Sequence, residues 1–206
     1  SLSNERLDAT LRALRTERPA MAGFEALARK IEERLAEGEE PGAVPGVLRE
    51  ELASADEKVP DRFARFLDRL DDSGLRVLTL SRSSMVLRCL QSARDTIEKV
   101  LVLESEPGGE GREMVRLLSE AGLEVELLPD EEMRSAVVRC RAGVIGADTV
   151  YADGAVLNKV LSRRLAELLR DTGKPFYVLA STWKLSCATP AEFTPHPADS
   201  GLFEVV

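Results

Sequence analysis

Several short stretches of this chain carry side chains able to hold an anion or move a proton. Ser81-Arg82-Ser83-Ser84 sets hydroxyls and a guanidinium ahead of a helical run. Such a stretch suits an anion, because a helix N-terminus leaves amide N–H groups unpaired. Read alone, its plainer account is a cap, with Ser83 or Ser84 starting the helix and Arg82 in solvent. Asp148 closes Gly146-Ala147-Asp148, just after the apolar pair Val144-Ile145. A carboxylate at the end of a buried run is poorly solvated, so it needs a partner or a task such as general acid–base chemistry. A cap or a turn also accounts for it, although Asp153-Gly154 is the stronger turn signal nearby. Asn158-Lys159 stands at the head of a further helical stretch, where a lysine opposes the helix macrodipole. An anionic ligand would explain it; a lysine whose stem lies along the surface is the alternative. Lys184 follows the last apolar run and could reach the same cleft, and Glu104 stands at the end of another run.

Other chemistry is poorly provided for. The single histidine, His196, argues against a zinc site and against a serine–histidine triad. Cys89, Cys140 and Cys187 have neither disulfide-scaffold nor metal-ligand spacing, and the first two read as buried, inert thiols. Gly108-Gly109-Glu110-Gly111 lacks the Lys-Ser/Thr of a phosphate loop and the spacing of a dinucleotide fingerprint, so it reads as a turn before a helix. Neither a metal nor a cofactor is therefore expected. The net charge of −8 leaves no basic surplus for DNA or RNA. No apolar run approaches the roughly 20 residues needed to cross a bilayer, and Ser1 to Arg18 lack the apolar block of a signal peptide. A cytoplasmic protein without a membrane partner is the expectation. Arginine outnumbers lysine 22 to 6, a bias typical of GC-rich genomes and a hint of a bacterial source.

The elements that must position these residues change character near Gly74. Before it, apolar residues recur at helical spacing: Leu7, Leu11 and Leu14, then Phe24, Leu27, Ile31 and Leu35. A third helix is predicted around Val47, Leu48 and Leu52, and a fourth around Phe63, Phe66, Leu67 and Leu70 with Pro60 in its first turn. After Gly74, short apolar runs at Val77-Leu80, Val100-Leu103, Val125-Leu128, Gly143-Ile145 and Phe176-Leu179 alternate with helical stretches. Those stretches are Ser84-Ala93, Gly111-Ala121, Glu131-Val138 and Asn158-Arg170. Strands apolar on both faces and separated by helices predict a parallel sheet covered on both sides. The fold class is thus α/β: a helical domain over 1–74, then a Rossmann-like domain over 75–206. In such sheets ligands bind beyond the carboxyl ends of the strands, where all the stretches above lie. The end, Leu202-Phe203-Glu204-Val205-Val206, reads as a strand with no partner inside the chain, and an unpaired apolar edge invites a second copy.

Taken in order, these stretches resemble the family of the alpha, beta and delta regulatory subunits of initiation factor 2B, which includes methylthioribose-1-phosphate and ribose-1,5-bisphosphate isomerases. The resemblance rests on Thr79-Leu80-Ser81-Arg82-Ser83-Ser84-Met85-Val86-Leu87, on Leu103-Glu104-Ser105-Glu106-Pro107 with Glu110-Gly111-Arg112, and on Gly146-Ala147-Asp148. It continues through Asp153-Gly154-Ala155-Val156-Leu157-Asn158-Lys159 to Lys174-Pro175-Phe176-Tyr177-Val178-Leu179-Ala180 and Lys184. The resemblance implies a homodimer binding a sugar phosphate or nucleotide through Ser81, Arg82, Ser83, Glu104, Asp148, Asn158, Lys159 and Lys184. Initiation factor 2 is an implied partner only where the source has one. The isomerases use a cysteine and an aspartate; Asp148 stands at the aspartate, but Ser81 replaces the cysteine and Glu106 an arginine. Position 81 thus favours a regulatory binding protein, with aldose–ketose sugar-phosphate isomerisation, using Asp148 as catalytic residue, as the alternative. The family commonly continues past a segment like 202–206, so either the rest has been trimmed or this is a short member.

Overall fold

The computed structural model describes residues 4–16, 21–69, 74–189 and 202–206. Three helices come first: α1 (Asn4–Thr16), α2 (Ala22–Ala36) and α3 (Val44–Asp68). The two helices predicted around Val47–Leu52 and Phe63–Leu67 are one, and Leu70 lies outside the described residues. Pro60 lies inside α3 and Pro45 in its first turn. An interior proline costs about 3 kcal/mol in a helix, and burial at both ends of α3 offsets it. Val44 and Leu48 pack with Ala26 and Trp183, while Phe63 and Leu67 pack into the core of the sheet.

The sheet follows: β1 (Leu75–Leu80), α4 (Ser84–Ser92), β2 (Ile97–Leu103), α5 (Glu110–Glu120), β3 (Val125–Leu128), α6 (Met133–Arg139) and β4 (Ala142–Ile145). After two short strands, β5 (Thr149–Val150) and β6 (Val156–Lys159), come α7 (Ser162–Asp171) and β7 (Phe176–Val178). The five predicted strands form one parallel sheet in the order β3-β2-β1-β4-β7. Its two faces are separate apolar layers. Val77, Val100, Val102 and Val144 meet α4 and α5 on one side. Leu78, Leu80, Leu101, Leu103 and Ile145 meet α6 and α7 on the other. Alternation along each strand delivers neighbouring residues to opposite layers, which is why the runs are continuously apolar. Gly111 lets α5 lie against the end of β2, since a Cβ there would sit 1.9 Å from the Leu103 carbonyl oxygen.

Two expectations are corrected here. Asn158 and Lys159 do not open a helix. They end β6, which the Asp153-Gly154 turn folds back on β5, and α7 starts only at Ser162. Nor is the last strand unpartnered: β8 (Phe203–Val205) pairs antiparallel with β6, Leu157 opposite Val205 and Lys159 opposite Phe203. The same pairing explains both, because β6 satisfies its backbone from its hairpin neighbour β5 and from β8, more than 40 residues further along the chain, and is not recruited into the helix after it. His196 and Pro19 lie outside the described residues. No helix among the described residues is long and apolar enough to cross a membrane.

Candidate functional site

The sheet order places β1 beside β4, and the chain leaves them in opposite directions, toward β2 and toward β7. That is the switch point of a doubly wound sheet, where the diverging loops open a crevice at the carboxyl ends. A cavity of about 420 Å³ occupies it. Of the residues proposed from the sequence, Ser81, Arg82, Ser83, Asp148, Asn158, Lys159 and Lys184 line it. Glu104 does not: its carboxylate is held by Arg112 at 3.0 Å. Glu106 also turns to Arg112, at 3.1 Å.

Each side chain reaches the cavity for a local reason. Ser83 caps α4, its Oγ accepting from the Val86 N–H at 3.3 Å, so the capping role holds while the residue also faces the cleft. Gly146 permits the close approach of the two loops, because a Cβ there would lie 2.5 Å from Ser83 Oγ. Asp148 is tied at its backbone, its N–H donating to the Leu157 carbonyl at 2.9 Å. The strand β6 carries Asn158, whose Nδ2 donates to Ser162 Oγ at 2.9 Å. Lys184 ends a 3₁₀ turn (Thr182–Lys184) anchored by buried Trp183, with the Lys30 ammonium 5.4 Å from the centre of its ring.

Ser81 is the most constrained of these residues. It adopts a left-handed backbone, φ 59°, which costs a serine energy and recurs at functional sites. Its N–H donates to Ser105 Oγ at 2.6 Å. Ser105 is itself left-handed, φ 66°, and fully buried. Its hydroxyl donates to the Leu103 carbonyl, and the Asp130 carboxylate accepts from the amides of Ser105 and Glu106, both at 2.8 Å. The loop after β2 thus props the loop after β1.

The sequence pattern concealed other contributors. Met21 and Asp56, from the helical region, line the cavity, as does Phe203 of β8. Asp56 pairs with Arg88 at 2.9 Å. Glu110, read as part of a turn, also lines the cavity and holds Lys159. No spacing rule links Glu110 to Lys159 across 49 residues. Thiols play no part: none of the three cysteines lines the cavity, and burial pushes the Cys89 thiol up to about 12. Among the described residues no group of three His, Cys, Asp or Glu side chains gathers as a metal site.

Comparison with known proteins bears on the family and the fold. The ribose 1,5-bisphosphate isomerase of Archaeoglobus fulgidus is 36% identical over 118 residues, covering 56% of this chain and 38% of that protein. The eIF-2B subunit 2-like protein of Pyrococcus furiosus is 34% identical over 137 residues, covering 66% of this chain and 50% of that protein. The matched segment is thus half or less of the length of these relatives. Among solved structures, the Pyrococcus horikoshii translation initiation factor eIF-2B superposes with a TM-score of 0.74 at 26% identity, covering 97% of this chain and 78% of that one. The tetrameric eIF2B-beta2-delta2 complex of C. thermophilum shares the fold, with a TM-score of 0.75 at 18% identity. The Initiation factor 2 subunit family matches residues 12–195, from the second half of α1 through every strand of the parallel sheet, and the chain belongs to that family.

Proposed function

We propose that the chain holds a sugar phosphate at the β1/β4 crevice and that the crevice works as an aldose–ketose isomerase site, with Asp148 as the proton-transferring group. The observation that carries this reading is convergence. A carboxylate from the end of β4 and the Arg82-Ser83 loop from the end of β1 line one cavity with Lys184. The name of the Archaeoglobus relative supports the reading. In a proton-transfer route, a group must take a proton from one carbon and return one to its neighbour, while a second group serves the oxygens. Asp148 suits the first duty.

Ser81 favours a second reading, in which the ligand is bound without turnover and the protein acts as a regulatory binding subunit. A serine hydroxyl neither gains nor loses a proton readily near neutral pH, and it stands where the isomerases have cysteine. A nucleotide suits the same donors. A cytoplasmic homodimer accompanies either reading; light scattering at micromolar concentration tests the dimer, whose support no longer includes an unpaired C-terminal strand.

One experiment separates the readings. Ribose 1-phosphate, ribose 5-phosphate, ribose 1,5-bisphosphate and methylthioribose 1-phosphate are screened by thermal shift, where ligand at 100 times Kd adds about 2.7 kcal/mol. Each binder is then assayed for turnover. Turnover that falls about 100- to 10,000-fold in Asp148→Asn supports the isomerase. Binding without turnover, in wild type and in Ser81→Cys, supports the regulatory reading. No binding at all ends both.

A further inference from the structure

One carboxylate on the cavity wall comes from the helical region and not from a strand end: Asp56 of α3. The helix α3 packs on α4, where Phe63 shares a cluster with Val86, Cys89 and Leu90. Asp56 lies two helical turns before Phe63 and so on the same face. That packing brings it to Arg88 of α4, whose Nη2 donates to Asp56 Oδ2 at 2.9 Å. Arg88 does not line the cavity, so it grips the carboxylate from behind the wall. The other oxygen, Oδ1, has no hydrogen bond among the described residues, and 29% of the side chain is exposed. Pro60, four residues on, has no N–H for the Asp56 carbonyl, so α3 also gives up a helical bond at this residue.

An ionised carboxylate accepts hydrogen bonds and donates none. A phosphate group likewise brings negative charge and acceptor oxygens, so Asp56 repels that end of a ligand. Sugar hydroxyls are donors and suit it. Arg82 and Lys184 line the same cavity from the sheet side and suit the anion. A ligand that is anionic at one place and rich in hydroxyls at another therefore matches the wall. Because Arg88 holds one oxygen, the direction of the other is set before a ligand arrives, which lowers the ordering cost of binding.

We infer that Asp56 is a specificity residue: held by Arg88, it accepts hydrogen bonds from hydroxyls of the bound sugar and so selects polyhydroxylated phosphate esters over plain ones. This inference rests on the sugar-phosphate reading of the site and deepens it. It gives α3 a part in recognising the ligand, beside the loops of the sheet.

The test is calorimetric titration of the whole chain with ribose 1-phosphate, ribose 5-phosphate and methyl phosphate, an ester without sugar hydroxyls. The wild type binds at least one ribose phosphate more tightly than methyl phosphate. Asp56→Asn keeps an acceptor for Arg88 and removes the charge. In that variant the preference falls about tenfold, the worth of one charge-assisted hydrogen bond. The fall comes from weaker ribose phosphate binding, while methyl phosphate binds as before or more tightly. Equal weakening of all three esters means a structural role and overturns the inference, as does an unchanged preference. A wild type that binds the three alike overturns it too, and leaves phosphate binding at the crevice standing. Should Asp56→Asn not fold, Arg88→Met decides, since it leaves the carboxylate in place but unheld: the same preference falls, or the inference fails. Binding of none of the three ends the sugar-phosphate reading, and this inference with it.

Discussion

The helices α1–α3 and the five-stranded sheet hold together by different means. The sheet lies between two dry layers in which Leu78, Leu101, Leu103, Val100 and Val102 are all fully buried. The helices share one small cluster of Ala26, Val44, Leu48 and Trp183. Around it run ion pairs: Arg15 with Glu25 and Glu32, Lys30 with Glu51 at 3.1 Å, and Arg34 with both Glu39 and Glu51. Apolar burial is insensitive to salt and persists wherever water is excluded; exposed ion pairs contribute little each and are screened. The cleft is built across this difference. The loops after β1 and β4 that line it stand on the sheet, while Met21 and Asp56 reach it from the helical region.

The largest expected effect comes from breaking the sheet side. Leu101→Ala leaves a cavity between β2 and the α6–α7 layer and costs about 4 kcal/mol, read as a single cooperative shift in urea unfolding. Uniform loss of hydrogen-exchange protection across sheet and helices is the expected pattern. The helices follow the sheet because α3 packs Phe63 and Leu67 on it, and protection kept in α3 while the sheet loses its own would contradict that dependence. Trp183→Ala strikes the other side. It removes the aromatic side chain packed under α2 and α3 and costs about 3 kcal/mol, with protection lost first in α1–α3 while β1, β2 and β4 keep theirs. Because Lys184 is the next residue, phosphate affinity falls in the same variant.

Two smaller effects sharpen the contrast. Thr79 Oγ1 is fully buried in β1 with no hydrogen-bond partner among the described residues. Replacing it with the isosteric valine removes an unsatisfied hydroxyl, and Thr79→Val raises stability by about 1 kcal/mol, seen as a higher Tm. Glu51 is the smallest case. Hydrogen bonding from Lys30, opposed by desolvation and aided by Arg34, holds its carboxyl below the usual range. Its folded pKa is depressed, so its stabilisation is present above the unfolded carboxyl value of about 4.3 and lost as pH falls through the lower folded value. Glu51→Gln therefore costs about 0.5 kcal/mol at neutral pH in low salt and nothing measurable in molar salt. A salt-independent loss would mean that Glu51 acts by packing instead.

Much of the architecture was legible before any coordinates. Five apolar runs became five parallel strands because strands covered on both faces have no polar side to alternate with. The strand-end rule then pointed to Ser81–Ser83, Asp148 and Lys184, all of which line the cavity. What misled was local inference where distant pairing governs. Asn158 and Lys159 read as a helix start, but β8 pulls them into a strand. Pro60 read as a helix start, but burial of Leu48 on one side and Phe63 and Leu67 on the other holds α3 through it.

Order along the chain determined the class of the fold, the edge of the sheet that carries the site, and the caps and turns at Ser83 and at Asp153-Gly154. These depend on periodicity and on near neighbours, which a sequence displays directly. Tertiary structure alone decided which charges are spent. Glu104 goes to Arg112 and Lys159 to Glu110, whereas Arg82 and Lys184 make no ion pair among the described residues. The reason is physical: an ion pair needs about 3 Å between side-chain tips, and that separation is set by how β6, the turn before α5 and the end of β2 pack together, not by how far apart their residues stand in the chain.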